Sequence, residues 1–284
     1  MRQLDLFNDT LSIQKANCLS AVLLMRDWDA MPSALSELVK VDDEGQYYPK
    51  FKQLCTLITH ALTVLASKEI RYEECSHLGE MFQSTLASQA NLLMGSAGNE
   101  WICSFWSELA EKFERIGERG KEDSVEAYLK AHRWSDVLRV VNNSFSGKEM
   151  RSSVQRWLCL GYLALGHRNE AIQSLLRYAW LSPEGMENLI QESSCASWAQ
   201  FWQGFQRDIG DLENDWFPAW YLHEFRPLEW RFESYPGTVA ARAYQVLLGL
   251  LLRESRGIDS TLMADRAKLK GLSPEFFAFY LRYR

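Results

Sequence analysis

Apolar residues recur along most of this chain at the three- and four-residue spacing of an amphipathic helix, and isolated prolines and glycines separate the segments. Strand-like alternation bounded by hairpin turns is nearly absent. This pattern restricts the chain to helix-on-helix packing, because each segment has one apolar stripe to bury. We therefore predict an all-α fold of stacked antiparallel helical hairpins.

The breaks in this pattern predict where the helices begin and end. Asn8-Asp9-Thr10 offers cap residues for a first helix that ends near Arg26, and the stretch 95–99 is the clearest interruption of the first half. Further helices are predicted over 31–39, 51–66, 72–93, 100–116, 186–209, 238–255 and 260–270. Ser273 and Pro274 then open a last helix, rich in aromatic residues, that runs to Arg284.

Two consecutive segments, 118–151 and 152–185, align with a period of 34 residues and no gap. The second carries a recognisable set of residues at fixed spacing: Leu158, Tyr162, Gly166, Ala171, Ile172, Leu175 and Pro183. This segment resembles a tetratricopeptide repeat. The resemblance implies a helical hairpin in which Gly166 allows the tight turn, Ala171 lets the helices approach and Pro183 ends the second helix.

The first segment resembles a degenerate repeat of the same type. It keeps Tyr128 and Trp134, but His132 stands at the position of the glycine and Val137 at that of the small residue. The stretch 22–35, with Arg26-Asp27-Trp28 at its turn, resembles this hairpin more faintly. A single hairpin cannot bury both of its faces, so neighbouring hairpins are expected to stack on it.

These observations predict three regions. Residues 1–9 form a flexible N-terminal tail, 10–225 a tetratricopeptide-like solenoid of helical hairpins, and 226–284 an aromatic-rich C-terminal helical cap. Pro218, Pro227 and Pro236 lie in the tryptophan-rich bend before and within the cap, and they exclude one continuous helix there.

The tail contains the one short motif that points to a partner, Gln3-Leu4-Asp5-Leu6-Phe7. It resembles the motif with which bacterial DNA polymerases and repair factors bind the replication sliding clamp, the beta subunit of the polymerase. All five positions match that motif. The resemblance implies specific roles for the motif: Leu6 and Phe7 fill a deep apolar pocket, Leu4 fills a neighbouring one, Gln3 hydrogen-bonds to the rim and Asp5 faces solvent. The alternative is structural, with Leu4, Leu6 and Phe7 packed against the first helix.

The helical body contains a second candidate binding surface. Trp216, Trp220 and Trp230 form a possible docking patch for a partner protein, because tryptophan is enriched at binding hot spots. The favoured alternative is that these rings bury the last apolar face of the solenoid. The basic, aromatic C-terminus suggests a nucleic-acid groove, with docking of the last helix as its alternative.

Composition narrows the function classes. The net charge of −6 argues against direct, sequence-specific binding of nucleic acid. Six singly placed cysteines and five histidines without metal-ligand spacing predict no disulfide framework, no metal and no cofactor. No catalytic motif is present, the apolar run 246–252 is too short to cross a membrane, and we expect a soluble cytoplasmic protein without a signal peptide.

Together these features predict a bacterial, non-enzymatic adaptor in DNA replication or repair. Its tail binds the sliding clamp, and its helical body recruits a second, unidentified protein. One alternative is a general tetratricopeptide-like scaffold or chaperone with a structural N-terminus and no link to replication. The other alternative is an enzyme of DNA metabolism with a polar pocket between hairpins.

Overall fold

A computed structural model of the chain describes residues 11–69, 71–230, 232, 234–255, 257 and 261–282. Helices make up most of these residues, and no strand occurs among them. The prediction of an all-α fold is confirmed. The chain divides into two compact units, 1–136 and 137–284.

The first unit is built around one long central helix. Its helices are α1 (Leu11–Leu24), α2 (Met31–Val39), α3 (Tyr48–Ala66), α4 (Tyr72–Met81), α5 (Ala87–Met94), α6 (Ser96–Ile116) and α7 (Lys121–Lys130). The predicted helix 31–39 is found with the same bounds. The predicted helix 72–93 is divided by a π-helical turn, Phe82–Leu86, that joins α4 to α5.

Helix α6 contacts α1, α3, α4, α5 and α7. The reason is its apolar stripe, in which Trp101, Phe105, Leu109 and Phe113 follow one another at four-residue intervals and are all buried. Phe82 of the π-helical turn packs edge-on against Phe105, with the ring centroids 5.7 Å apart. A stripe of this length gives the surrounding helices a common surface to cover.

The start of α6 differs from the prediction. The stretch 95–99 was predicted as a break, but only Gly95, at φ 62°, interrupts the helix, and α6 begins at Ser96. Gly98 lies inside the helix because α5 crosses there: a Cβ at Gly98 would lie 2.5 Å from the carbonyl oxygen of Ala90. The glycine therefore serves a close helix–helix contact rather than a loop.

The second unit contains nine helices in its described residues when the end of α8 is counted. They are α8 (Trp134–Ser144), which begins just before the unit, α9 (Ser152–Ala164), α10 (Arg168–Leu181), α11 (Met186–Ser193), α12 (Ala196–Ile209), α13 (Phe217–Phe225), α14 (Val239–Glu254), α15 (Thr261–Leu272) and α16 (Pro274–Arg282). The Ser273 hydroxyl accepts the backbone N–H of Phe276 at 3.0 Å, which confirms its predicted capping role.

The prediction of one helix over 186–209 is wrong. Ser194 adopts a left-handed conformation at φ 49° and separates α11 from α12. The Ser193 hydroxyl accepts the backbone N–H of Cys195 at 3.2 Å and so supports the turn. Serine side chains compete with helical hydrogen bonds in this way, and the apolar periodicity does not reveal it.

Three helix ends share one turn geometry. At Arg26, His132 and Gly166 the backbone is left-handed, with φ of 57°, 55° and 80°. In each turn the N–H of this left-handed residue donates to the carbonyl three residues earlier. The N–H of the next residue donates to the carbonyl five residues earlier. The pairs are Arg26 to Leu23 and Asp27 to Val22, His132 to Leu129 and Arg133 to Tyr128, and Gly166 to Leu163 and His167 to Tyr162. This is the Schellman arrangement.

The turns lie where the three hairpin-like stretches were predicted, between α1 and α2, α7 and α8, and α9 and α10. The division between the two units falls inside the first of the two predicted repeats, between residues 136 and 137. The predicted regional boundaries at 9 and 225 stay predictions.

Candidate interaction surfaces

The predicted clamp-binding motif, Gln3, Leu4, Asp5, Leu6 and Phe7, lies outside the described residues. The cap residues predicted before α1, and the two C-terminal residues of the predicted last helix, also lie outside them. The roles implied for the motif by its resemblance therefore stay predictions.

Two of the three tryptophans predicted as a docking patch are interior residues of the second unit. Trp216 and Trp220 are only 7% and 3% exposed. The indole N–H of Trp220 donates to the Asp208 carboxylate at 3.1 Å, and its ring lies so close to Gly204 that a Cβ there would meet it at 2.9 Å. Trp216 packs against Phe276 of α16, with centroids 5.1 Å apart. Their positions fit the packing alternative.

Trp230 lies at the edge of the same cluster and is half-buried. Its ring is nearly parallel to that of Tyr221, with centroids 6.1 Å apart and an interplanar angle of 7°. Phe225, 47% exposed, lies 4.6 Å from Tyr221 between ring centroids. Burial raises the pKa of Tyr221 to about 12. Of the three predicted tryptophans only Trp230 is thus accessible, and Phe225 lies exposed beside it in the same aromatic cluster.

The turn before α13 contains a site that the sequence did not indicate. Asp215 is buried, and its Oδ1 has no hydrogen-bond partner among the described residues. Burial, and secondarily the charge of Glu213, raises the pKa of Asp215 to about 6. Its neighbours in sequence, Asn214 and Trp216, give no signal of this environment, because the turn is in contact with α10 and α14, which are distant in the chain.

Two clefts in the first unit are lined by titratable side chains. One, of about 460 Å³ between the end of α3 and α6, contains Lys112 and Glu108. Lys112 donates to the carbonyl of Ser67 at 2.7 Å, and the Glu108 carboxylate accepts from Arg26 at 2.5 Å. The charges of Lys112 and Glu108 are therefore engaged with the protein itself.

The other cleft, of about 430 Å³ between α3 and α4, contains His60, His77, Glu73 and Glu74. The pKa of Glu73 is lowered by its own backbone hydrogen bond and by Arg119, which lies 2.9 Å from its carboxylate. No group of three or more potential metal ligands occurs in the described part of the chain. The non-enzymatic assignment stays a prediction.

The cysteines are free thiols. Cys55, Cys75 and Cys159 are buried, and burial raises the pKa of Cys55 to about 11 and that of Cys159 well above its ordinary value. A raised pKa keeps a thiol protonated and unreactive. These residues behave as small core hydrophobes, as their apolar sequence surroundings indicate.

The basic C-terminal region packs into the second unit. Phe276, Phe279 and Tyr280 are buried, and Arg266 and Lys268 pair with Glu254 and Asp265 at 3.3 and 3.2 Å. This fits docking of the last helix rather than a nucleic-acid groove. None of the described helices has the length and apolar character needed to span a membrane.

Comparison with known proteins adds no assignment: no family model, curated protein or solved structure matches this chain. Fold and function are therefore inferred from the residues of the chain itself.

Proposed function

We propose that this protein is a non-enzymatic adaptor that binds the bacterial sliding clamp through Gln3–Phe7 and recruits a second protein through its helical body. The observation that carries the proposal is the motif itself, in which all five residues match the clamp-binding pattern. The motif precedes the helical body in the sequence, so clamp docking through it leaves the helical body for the second partner.

The energetics of the motif favour an exchangeable contact. Burial of the Leu4, Leu6 and Phe7 side chains contributes about 1.5–3 kcal/mol each. Ordering of the tail and loss of free motion offset much of this sum. The expected dissociation constant is on the order of micromolar, which suits a protein that shares the clamp with other factors.

We further propose that the body is a tetratricopeptide-like solenoid that ends in an aromatic cap. The shared Schellman turns at Arg26, His132 and Gly166 support this arrangement, as does Ala171, which is fully buried in the hairpin of α9 and α10. The net charge of −6 supports recruitment through protein contacts rather than through DNA.

The decisive test is a calorimetric titration of the full chain with purified sliding clamp. The native chain and Asp5→Ala are expected to bind alike, because Asp5 faces solvent in the implied complex. The double variant Leu6→Ala/Phe7→Ala is expected to lose at least about 100-fold in affinity, since two apolar anchors are removed. Equal binding by the native chain and the double variant, or binding by neither, rules out clamp binding through Gln3–Phe7.

The same variants separate the adaptor from a general scaffold or chaperone with a structural N-terminus. In the adaptor, Leu6→Ala/Phe7→Ala leaves the unfolding temperature unchanged. In the scaffold, where Leu6 and Phe7 pack against the first helix, it lowers the unfolding temperature and exposes the N-terminus to protease, and the native chain does not bind the clamp.

A further inference from the structure

A narrow groove of about 170 Å³ runs between α4 and α7 over the surface of α6 in the first unit. The rings of Trp106 and Phe113 on α6 form the aromatic floor of the groove. Its walls are α4 and α7, which contribute the small residues Gly79 and Ala127 there. A Cβ at Gly79 would be 3.6 Å from Leu109, which is an ordinary contact. The groove exists because small residues face each other across two large rings.

Contacts between side chains of the two walls close the groove at both ends. At one end the Tyr72 hydroxyl donates to the Asp123 carboxylate at 3.0 Å, and Arg119 lies 4.0 Å from the centre of the Tyr72 ring. At the other end Lys130 donates to Gln83 at 2.8 Å and lies 4.4 Å from the centre of the Trp106 ring. The opening between these contacts is therefore bounded along its length.

The charge of the groove is mainly negative. Glu80 on one wall and Asp123 and Glu126 on the other contribute three carboxylates. The cations at the two ends of the groove are Lys130 and Arg119, and Arg119 forms an ion pair with Glu73 at 2.9 Å. The whole chain is also acidic, with a net charge of −6. A negative site on a negative protein attracts a basic partner over distance and repels an acidic one.

We propose that this groove binds one arginine side chain from a basic segment of the second protein, and this inference rests on the adaptor function proposed above. The volume is below the ~300–1,000 Å³ typical of small-molecule sites and suits a single long side chain. The aliphatic part of arginine lies on the aromatic floor, and its guanidinium stays at the mouth. The planar guanidinium has five N–H donors and donates hydrogen bonds to carboxylates on both walls.

The test uses the full chain and two model peptides, acetyl-Gly-Gly-Arg-Gly-Gly-amide and the same peptide with citrulline in place of arginine. Citrulline keeps the shape of the side chain and removes its charge. In nitrogen-15 NMR titrations we expect the arginine peptide to shift the Gly79 amide and the Trp106 indole resonances, with a dissociation constant on the order of millimolar. The citrulline peptide is expected to shift neither.

Variants of the wall and the rim localise the effect. Glu80→Gln/Glu126→Gln is expected to weaken the arginine peptide about tenfold, because charge-assisted hydrogen bonds are lost. Glu187→Gln, which removes an exposed carboxylate on α11, is the matched control and leaves the affinity unchanged. Gly79→Met fills the groove and abolishes the shifts, whereas Gly79→Ala, whose Cβ makes only ordinary contacts, preserves them.

The inference is overturned if the arginine and citrulline peptides act alike, if the arginine peptide leaves Gly79 and Trp106 unmoved, or if the paired glutamine variant binds as the native chain does. The clamp titration and the peptide titration fail independently, because the clamp variants change only Asp5, Leu6 and Phe7 and the groove variants change only residues 79, 80 and 126.

Discussion

His132 and Gly166, 34 residues apart, adopt the same left-handed backbone conformation and form the same two hydrogen bonds at the ends of α7 and α9. Glycine adopts this conformation at no steric cost, whereas a residue with a Cβ is strained by about 1–2 kcal/mol. The His132 ring partly compensates by stacking on Trp134, with centroids 5.6 Å apart and an interplanar angle of 8°.

This equivalence predicts that glycine is more stable than alanine at both positions. His132→Gly is expected to be about 1 kcal/mol more stable than His132→Ala, because both lose the stacking on Trp134 but only alanine keeps the strained backbone. Gly166→Ala is expected to destabilise by about 1 kcal/mol. No atom lies within 4 Å of a Cβ built at Gly166, so this cost is conformational and not a clash.

Urea unfolding of the three variants measures these differences. Equal stability of His132→Gly and His132→Ala contradicts the assigned conformation of residue 132. An unchanged midpoint for Gly166→Ala does the same for residue 166.

A second prediction concerns the buried bond between Trp101 of α6 and the end of α1. The indole N–H of Trp101 donates to the carbonyl of Leu23 at 2.7 Å, and the same carbonyl accepts the backbone N–H of Arg26 at 3.0 Å. Trp101→Phe is expected to destabilise the protein by about 1–2 kcal/mol, since it removes one hydrogen bond and some buried area but leaves the carbonyl one partner.

The matched control is Trp28→Phe. Trp28 is half-buried and contributes a ring contact with Phe105 at 6.1 Å between centroids, which phenylalanine largely keeps. Its loss of stability is expected to be the smaller of the two in urea unfolding. A larger loss of stability for Trp28→Phe than for Trp101→Phe contradicts a stabilising hydrogen bond between α1 and α6.

A third prediction follows from Asp215, whose pKa is raised to about 6 by burial and by Glu213. The folded state holds this proton more tightly than the unfolded state does, so stability falls as pH rises from about 4 through 6. Above that range the ionised carboxylate is buried at a cost on the order of 3 kcal/mol, since each pKa unit corresponds to about 1.4 kcal/mol. Asp215→Asn removes the ionisation and keeps the shape of the side chain.

Urea unfolding at a series of pH values tests this sign. Asp215→Asn is expected to exceed the native chain in stability at pH 7–8, and the difference is expected to disappear below about pH 4, where both folded and unfolded carboxyls are protonated. Asp211→Asn, at an exposed position of the same turn region, is the control and shows no such pH-dependent gain. If the native chain is more stable than Asp215→Asn at pH 8, ionisation of the buried carboxyl does not destabilise the fold and the prediction is wrong.

Helical periodicity predicts much of the fold but not its interruptions. Residues 31–39 and the Ser273 cap follow from local sequence, because apolar spacing and a capping hydroxyl act within a few residues. Gly98 was assigned to a loop because glycine commonly marks breaks, yet the close crossing of α5 places it inside α6. Ser194 interrupts a stretch whose apolar pattern continues across it.

The candidate sites divide in the same way. The motif Gln3–Phe7 is contiguous, so sequence alone reveals it. The groove over α6 joins Gly79, Trp106 and Glu126 from three helices, and no spacing in the chain connects them. The tryptophans of the bend were visible in the sequence, but the burial of Trp216 and Trp220 depends on α12 and α16.

The sequence by itself determined the all-α class and the positions of the hairpin turns at Arg26, His132 and Gly166, and it contains the short motif on which the proposed clamp partner rests, since each depends on residues adjacent in the chain. Only the tertiary structure decided which glycines lie in helix contacts, which aromatic rings remain accessible, and where an acidic groove opens. Those features arise where separate helices meet, and the distance between helices is set by packing rather than by local sequence.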